Sequence, residues 1–212
     1  MRKRGTDRGL NVQKPEHLKF FSPEDREKFT DASARAPEPA ASLFRVMAAT
    51  GLRIGEAVRL QAEDVEEREG KTYLHVHTLK SGREGTIPRG QRPELVRIIP
   101  IISPDAKQVL KTLVRKAVPP GWLFPSRRGL HITVQYAGIM FKRVLADAGL
   151  DPRYSTHCLR HTMGYALWKA SQDIVFVSRM LRHGSQRSSE IYTHLTLDDL
   201  ATIAEAKKDE IY

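Results

Sequence analysis

Apolar positions recur at helical spacing along most of the chain. Ser22-Pro23-Glu24-Asp25 reads as a helix start, with serine as N-cap, proline in the first turn and acids at the positive end, and predicts a helix to about residue 34 that Pro37 and Pro39 end. From Ala40 to Thr50, Leu43, Val46 and Met47 share one helical face, and Gly51 closes the run. A short helix is predicted from about Gly55 to Gln61. At Lys71–Leu79 the period changes to two, placing Leu74 and Val76 on one face and His75 and His77 on the other. Its partner is either the β-like run Arg97–Ile102 or GTIPR at 85–89, across a connection rich in breakers (Gly82, Gly85, Pro88, Gly90, Pro93). Ser103-Pro104-Asp105 opens another helix carrying Val109, Leu110, Leu113, Val114 and Ala117, which Pro119-Pro120-Gly121 ends. Val134–Ala148 repeats the pattern through Met140, Phe141, Val144 and Leu145, with Gly149 as terminator. Two more helices span roughly 157–169 and 174–182. Thr196-Leu197-Asp198-Asp199 resembles a capping box opening a last helix with Leu197, Leu200, Ile203 and Ala204 on one side. The pattern predicts a mainly α chain with one small antiparallel β-sheet, an α+β fold.

Composition narrows the setting. No apolar run approaches the ~20 residues needed to span a bilayer, the start carries no signal-peptide segment, and Cys158 is the only cysteine, so no intrachain disulfide forms. These features read as a cytoplasmic protein without a membrane partner. The 35 Lys and Arg against 25 Asp and Glu leave a formal charge of +10, which points to a polyanionic partner, nucleic acid foremost. Residues 1–20 open with MRKRGTDRGL, cationic and without helical period. They read as a flexible arm whose Arg2, Lys3, Arg4 and Arg8 are candidate phosphate contacts.

Three segments place basic or nucleophilic side chains at helix boundaries. In TGLRIGEAVRL, residues 50–60, Arg53 follows a glycine break and precedes a helix, so its guanidinium and the helix N-terminus can face one anion. In THCLRHTMGYAL, residues 156–167, His157, Arg160 and His161 stand at i, i+3 and i+4 on one helical face. Two histidines at that spacing suit zinc, but H-E-x-x-H requires a glutamate where Cys158 stands, and the intervening arginine repels a cation, so no metal is expected. In LRHGSQRSSEIYTHL, residues 181–195, His183 precedes Tyr192 by nine positions.

Taken together and in this order, the segments resemble the signatures of the tyrosine recombinases, the phage integrase family: T-G-L-R-x-x-E at 50–56, H-x-L-R-H at 157–161, and L-x-H at 181–183 followed by Tyr192-Thr193-His194. The resemblance runs from about Phe21 to the C-terminus. It implies the integrase catalytic-domain fold over residues 21–195, and a C-terminal helix at 196–212 that can be exchanged between protomers. It also implies a DNA strand-cleaving and rejoining activity with Arg53 and Arg160 as catalytic arginines, His157 and His183 as active-site histidines and Tyr192 as nucleophile. The family also uses a hairpin lysine. Lys80, directly after the first predicted strand and the only lysine between Lys71 and Lys107, fits that place. Glu56 and His161 are expected to support these groups rather than to react.

Phosphodiester attack explains why such residues are needed. Charge accumulates on the non-bridging oxygens, and two forked guanidiniums suit it. A tyrosine hydroxyl titrates at about 10 and needs a base, for which His157 is the candidate, while Lys80 can protonate the departing 5′ oxygen. The 3′-phosphotyrosine keeps the bond energy, so neither metal nor nucleotide cofactor is implied. The implied partners are double-stranded DNA bearing a specific recombination site, three further copies of the chain in a tetramer, and accessory DNA-binding proteins. The chain departs from the family pattern at Arg182, where glycine is usual before the histidine, adding bulk and charge at a tight turn. Only about twenty residues precede the catalytic region, which is expected to lack a separate helical core-binding domain, as an excised domain or as a short recombinase like the fimbrial-switch invertases. Two other readings stand beside recombination: a catalytically weak DNA-binding accessory protein, and a type IB topoisomerase-like enzyme.

Overall fold

Ser22 Oγ accepts the Asp25 N–H at 3.0 Å and Pro23 fills the first turn, so the opening cap signature forms helix α1, Pro23–Arg35. The structure, a computed structural model, describes residues 20–79 and 94–182. Helix α2, Ala40–Thr50, ends at Gly51, which adopts the left-handed conformation with φ 62°. Helix α3, Ile54–Ala57, is shorter than the predicted run to Gln61. Backbone pairing with a distant segment takes over: Leu123 N–H donates to the Leu60 carbonyl and Ala62 N–H to that of Gly121, each at 2.8 Å, and a 3-10 turn, Ala62–Asp64, follows.

Three antiparallel strands come next, β1 (Val65–Arg68), β2 (Lys71–Leu79) and β3 (Glu94–Pro100), side by side in that order. The pairing of β2 with β3, from Tyr73↔Pro100 to Leu79↔Glu94, resolves the open choice of partner toward the later run, shifted three residues earlier than its predicted start. GTIPR lies outside the described residues. The period-two pattern of β2 is realised: Leu74 and Val76 are buried beside Ile99 of β3, while His75 and His77 face the other way and bond Glu66 and Asp64 at 2.8 and 2.9 Å. Strand β1 has no counterpart in the sequence pattern, because V-E-E-R offers a single apolar residue.

The remaining helices are α4 (Pro104–Lys116), α5 (Val134–Asp147), α6 (His157–Ser171) and α7 (Ile174–Leu181). Side chains of Ser103 and Thr133 accept the Ala106 and Tyr136 N–H groups and start α4 and α5. The core is aromatic at its centre: Phe29 lies 5.3 Å from Phe141 and 6.0 Å from Phe44 between ring centroids, and Phe21 bridges Phe29 and Tyr154. Each such ring stabilises the fold by roughly 1.5–3 kcal/mol on burial. A smaller cluster, Leu167, Trp168, Val177, Met180 and Leu181, fastens α7 to α6. Among the described residues no helix is long and apolar enough to cross a membrane. The packing sets the starts of α3 and α6 and the end of α7 against one another.

Candidate active site

Arg53 is the N-cap of α3, and Glu56 one turn later binds it twice. The Arg53 backbone N–H donates to Glu56 Oε2 at 2.8 Å, and its guanidinium donates to Oε1 at 2.9 Å. The Arg53 side chain stays 39% exposed whereas that of Glu56 is 6% exposed, so a buried carboxylate holds an arginine whose other edge meets solvent.

Arg160 comes from the first turn of α6 and is buried. Its Nη1 donates to the Gly51 carbonyl at 2.7 Å and its Nη2 to the Leu181 carbonyl, so the ends of α2 and α7 fix the guanidinium plane. The two arginine-bearing segments share a small cleft lined by Leu52, Arg53, Ile54, Thr156, His157 and Arg160. His157 stands at its rim, exposed, as the first residue of α6. The shared face expected for His157, Arg160 and His161 is divided by its surroundings: Arg160 is buried, His157 exposed and His161 half-buried. Among the described residues no three His, Cys, Asp or Glu side chains converge to hold a metal ion.

Arg182 joins this arrangement from the end of α7. The predicted helix to residue 182 stops at Leu181, and Arg182 caps it in the left-handed conformation, φ 56° and ψ 46°. The side chain turns inward: Nη2 lies 3.2 Å from Glu56 Oε2 and 3.4 Å from the Gly51 carbonyl, and Nη1 donates to the Met180 carbonyl at 2.9 Å. Burial pushes the Glu56 carboxyl up, but the charge of Arg182, the Arg53 N–H bond, and the charges of Arg53 and Arg160 outweigh it and hold it below the ordinary carboxylate range. Burial lowers the Arg182 guanidinium, with Glu56 opposing.

The sequence reading therefore names Arg53, Glu56, His157 and Arg160, and the fold brings all four to one place. Lys80, His183 and Tyr192, with Arg2, Lys3, Arg4 and Arg8, lie outside the described residues. What the sequence reading misses is the pairing of Arg182 with Glu56, although the anomaly at that position is visible. It also misses Arg97, half-buried on β3 in register with Val76, whose positive charge bears on Arg182. The register alone, with Val76 facing inward, is the signal that finds it.

Residues 19–198 match the profile of the phage integrase family. The chain is 30% identical over 168 residues to tyrosine recombinase XerD of Corynebacterium glutamicum, covering 76% of this chain and 50% of that protein. To tyrosine recombinase XerH of Campylobacter jejuni it is 27% identical over 197 residues, covering 90% and 52%. The chain thus spans about half the length of the curated relatives it matches. Among solved structures, its fold is similar to the XerH site-specific recombinase bound to palindromic difH substrate in a post-cleavage complex, with a TM-score of 0.67 and 24% identity over 88% of this chain and 52% of that one. It is also similar to the Tn1549 transposon integrase in complex with a circular intermediate DNA, at 0.71 and 19% over 92% and 67%. The catalytic domain of bacteriophage HP1 integrase matches at 0.58 and 20%, covering 88% of this chain and 93% of that domain.

Proposed function

Because the chain belongs to the phage integrase family, we propose that it carries the catalytic machinery of a site-specific DNA recombinase, which cuts and rejoins strands through a 3′-phosphotyrosine at Tyr192. The observation that supports this reading most strongly is the convergence of Arg53 and Arg160, 107 positions apart, on the lining of one small cleft together with His157.

In this mechanism Arg53 and Arg160 clamp the non-bridging oxygens of the scissile phosphate, and the carbonyls and carboxylate behind them spare the site any reorganisation as charge builds. His157 takes the proton from the Tyr192 hydroxyl as the new P–O bond forms. The bond from phosphorus to the 5′ oxygen breaks, and Lys80, the next residue in sequence after β2, supplies that oxygen with a proton. His183 donates a hydrogen bond to a phosphate oxygen. A 5′ hydroxyl from a second strand then attacks the phosphotyrosine by the reverse route. The acting unit is a tetramer on two DNA sites, at work on the chromosome in the cytoplasm.

A pool of substrates lets the protein select its own target. Wild type and Tyr192→Phe are incubated with nicked duplexes made from host genomic DNA, and adducts that survive denaturing gels are recovered and sequenced. Wild type should yield adducts enriched in one sequence and Tyr192→Phe none. An absence of wild-type adduct sinks the catalytic reading, whereas adducts without sequence enrichment, with relaxation of supercoils, favour a topoisomerase.

A further inference from the structure

The side chain of Arg182 is fully enclosed, and the chemistry above makes no use of it. Its position is unfavourable in two ways, since a charge is removed from water and a residue with a Cβ is held at φ 56°. Among the described residues its Nε has no hydrogen-bond partner, so the guanidinium is not there simply because every donor is satisfied. Its other nitrogens donate to the Met180 carbonyl at its own helix end and, across the site, to two specific partners, the Glu56 carboxylate and the Gly51 carbonyl. Glu56 is the anchor of Arg53, and Gly51 is an anchor of Arg160. Arg182 therefore touches what holds each of the two arginines of the cleft and stands behind both.

Charge counting gives this contact a function. Arg53, Arg160 and Arg182 against Glu56 leave 3 − 1 = +2. Without Arg182 the carboxylate is balanced only by Arg53 and Arg160 themselves, and 2 − 1 = +1 remains for a phosphodiester that gains negative charge as it is attacked. We propose that Arg182 is a positioning residue that acts as the internal counter-ion of Glu56, so that Arg53 and Arg160 both present uncompensated positive charge to the scissile phosphate. This rests on reading those two arginines as the phosphate clamp. A residue that merely capped α7 or filled space would affect stability and leave anion affinity alone.

The experiment separates these roles with inorganic phosphate as probe, titrated into the full chain while the arginine Nε–Hε resonances are followed by NMR. Arg182→Met keeps bulk and removes charge. Arg182→Gly removes both and relieves the left-handed backbone, and is the second variant where methionine is not tolerated. Each should weaken phosphate binding about tenfold, the order expected for a unit charge withdrawn at close range under partial screening. Adding Glu56→Gln to either restores the +2 balance and should bring affinity back to within about threefold of wild type. The proposal is overturned if the single variants bind phosphate as wild type does, or if the double variants stay as weak as the singles. Adduct formation at Tyr192 separates the two failures. Wild-type adduct with no deficit in the Arg182 variants overturns this inference alone, while absence of both adduct and phosphate binding overturns the underlying reading of the site.

Discussion

Glu56 is the residue through which this site is coupled to the stability of the fold. Its carboxyl is held below the ordinary range against the pull of burial, by Arg182, Arg53 and Arg160. The folded chain thus binds that proton more weakly than the unfolded chain, whose glutamate titrates at about 4.3. Stabilisation from Glu56 is therefore complete above that value and is lost as pH falls through the lowered folded-state value. Thermal melts followed by circular dichroism from pH 6 down to 2.5 should show a steeper acid loss for wild type than for Glu56→Gln. Parallel acid limbs would mean that the carboxylate is not coupled to its arginines in this way. Arg45 and Asp105, an ion pair at the surface, serve as a contrast, since exposed pairs contribute at most about 1 kcal/mol.

At the scale of elements, the junction of α2 with α7 decides where Arg160 points. Gly51 is required there for two reasons. Its φ is 62°, and a Cβ built on it would lie 2.5 Å from Leu181 Cδ2, in the residue whose carbonyl anchors Arg160. Gly149 at the end of α5 has a similar φ, 65°, with nothing within 4 Å of such a Cβ. Gly149→Ala should therefore cost about 1 kcal/mol in urea unfolding and leave adduct formation intact, whereas Gly51→Ala should cost about 2–3 kcal/mol and lower the adduct rate at least tenfold. Equal losses of activity in the two would refute a specific role for the junction. Elements also differ in how legible they are in the sequence. Helices α1, α2, α4, α5, α6 and α7 announce themselves because caps and apolar spacing are local, and β2 does so because its alternation is clean. Strand β1 and the true length of α3 do not: the first is a charged edge strand, and the second is cut short by backbone bonds from Gly121 and Leu123, which depend on chain atoms common to every residue.

For the molecule as a whole, that distinction also explains how much of the site was readable. Arg53, His157 and Arg160 have identities that a sequence displays, so their grouping could be expected, but the carbonyls of Gly51 and Leu181 that orient Arg160 have none, and the pairing of Arg182 with Glu56 spans 126 positions. Charge, by contrast, is a property of the entire chain, and its consequence for DNA is collective. With a formal charge of +10, affinity for duplex DNA should fall steeply with salt as counter-ions are released. Each phosphate contact contributes about −0.9 to the slope of log K against log salt, so replacing Arg2, Lys3, Arg4 and Arg8 by alanine should flatten that slope by up to about 3.6 if all four track phosphates. Fluorescence anisotropy on a 30-base-pair duplex, in the Tyr192→Phe background to prevent cleavage, measures this between 50 and 300 mM salt. An unchanged slope would remove the arm from the interface and assign the binding to the catalytic region alone. A flattened slope with an unchanged preference among sequences would show that the arm supplies affinity without reading bases, as contacts to phosphates must.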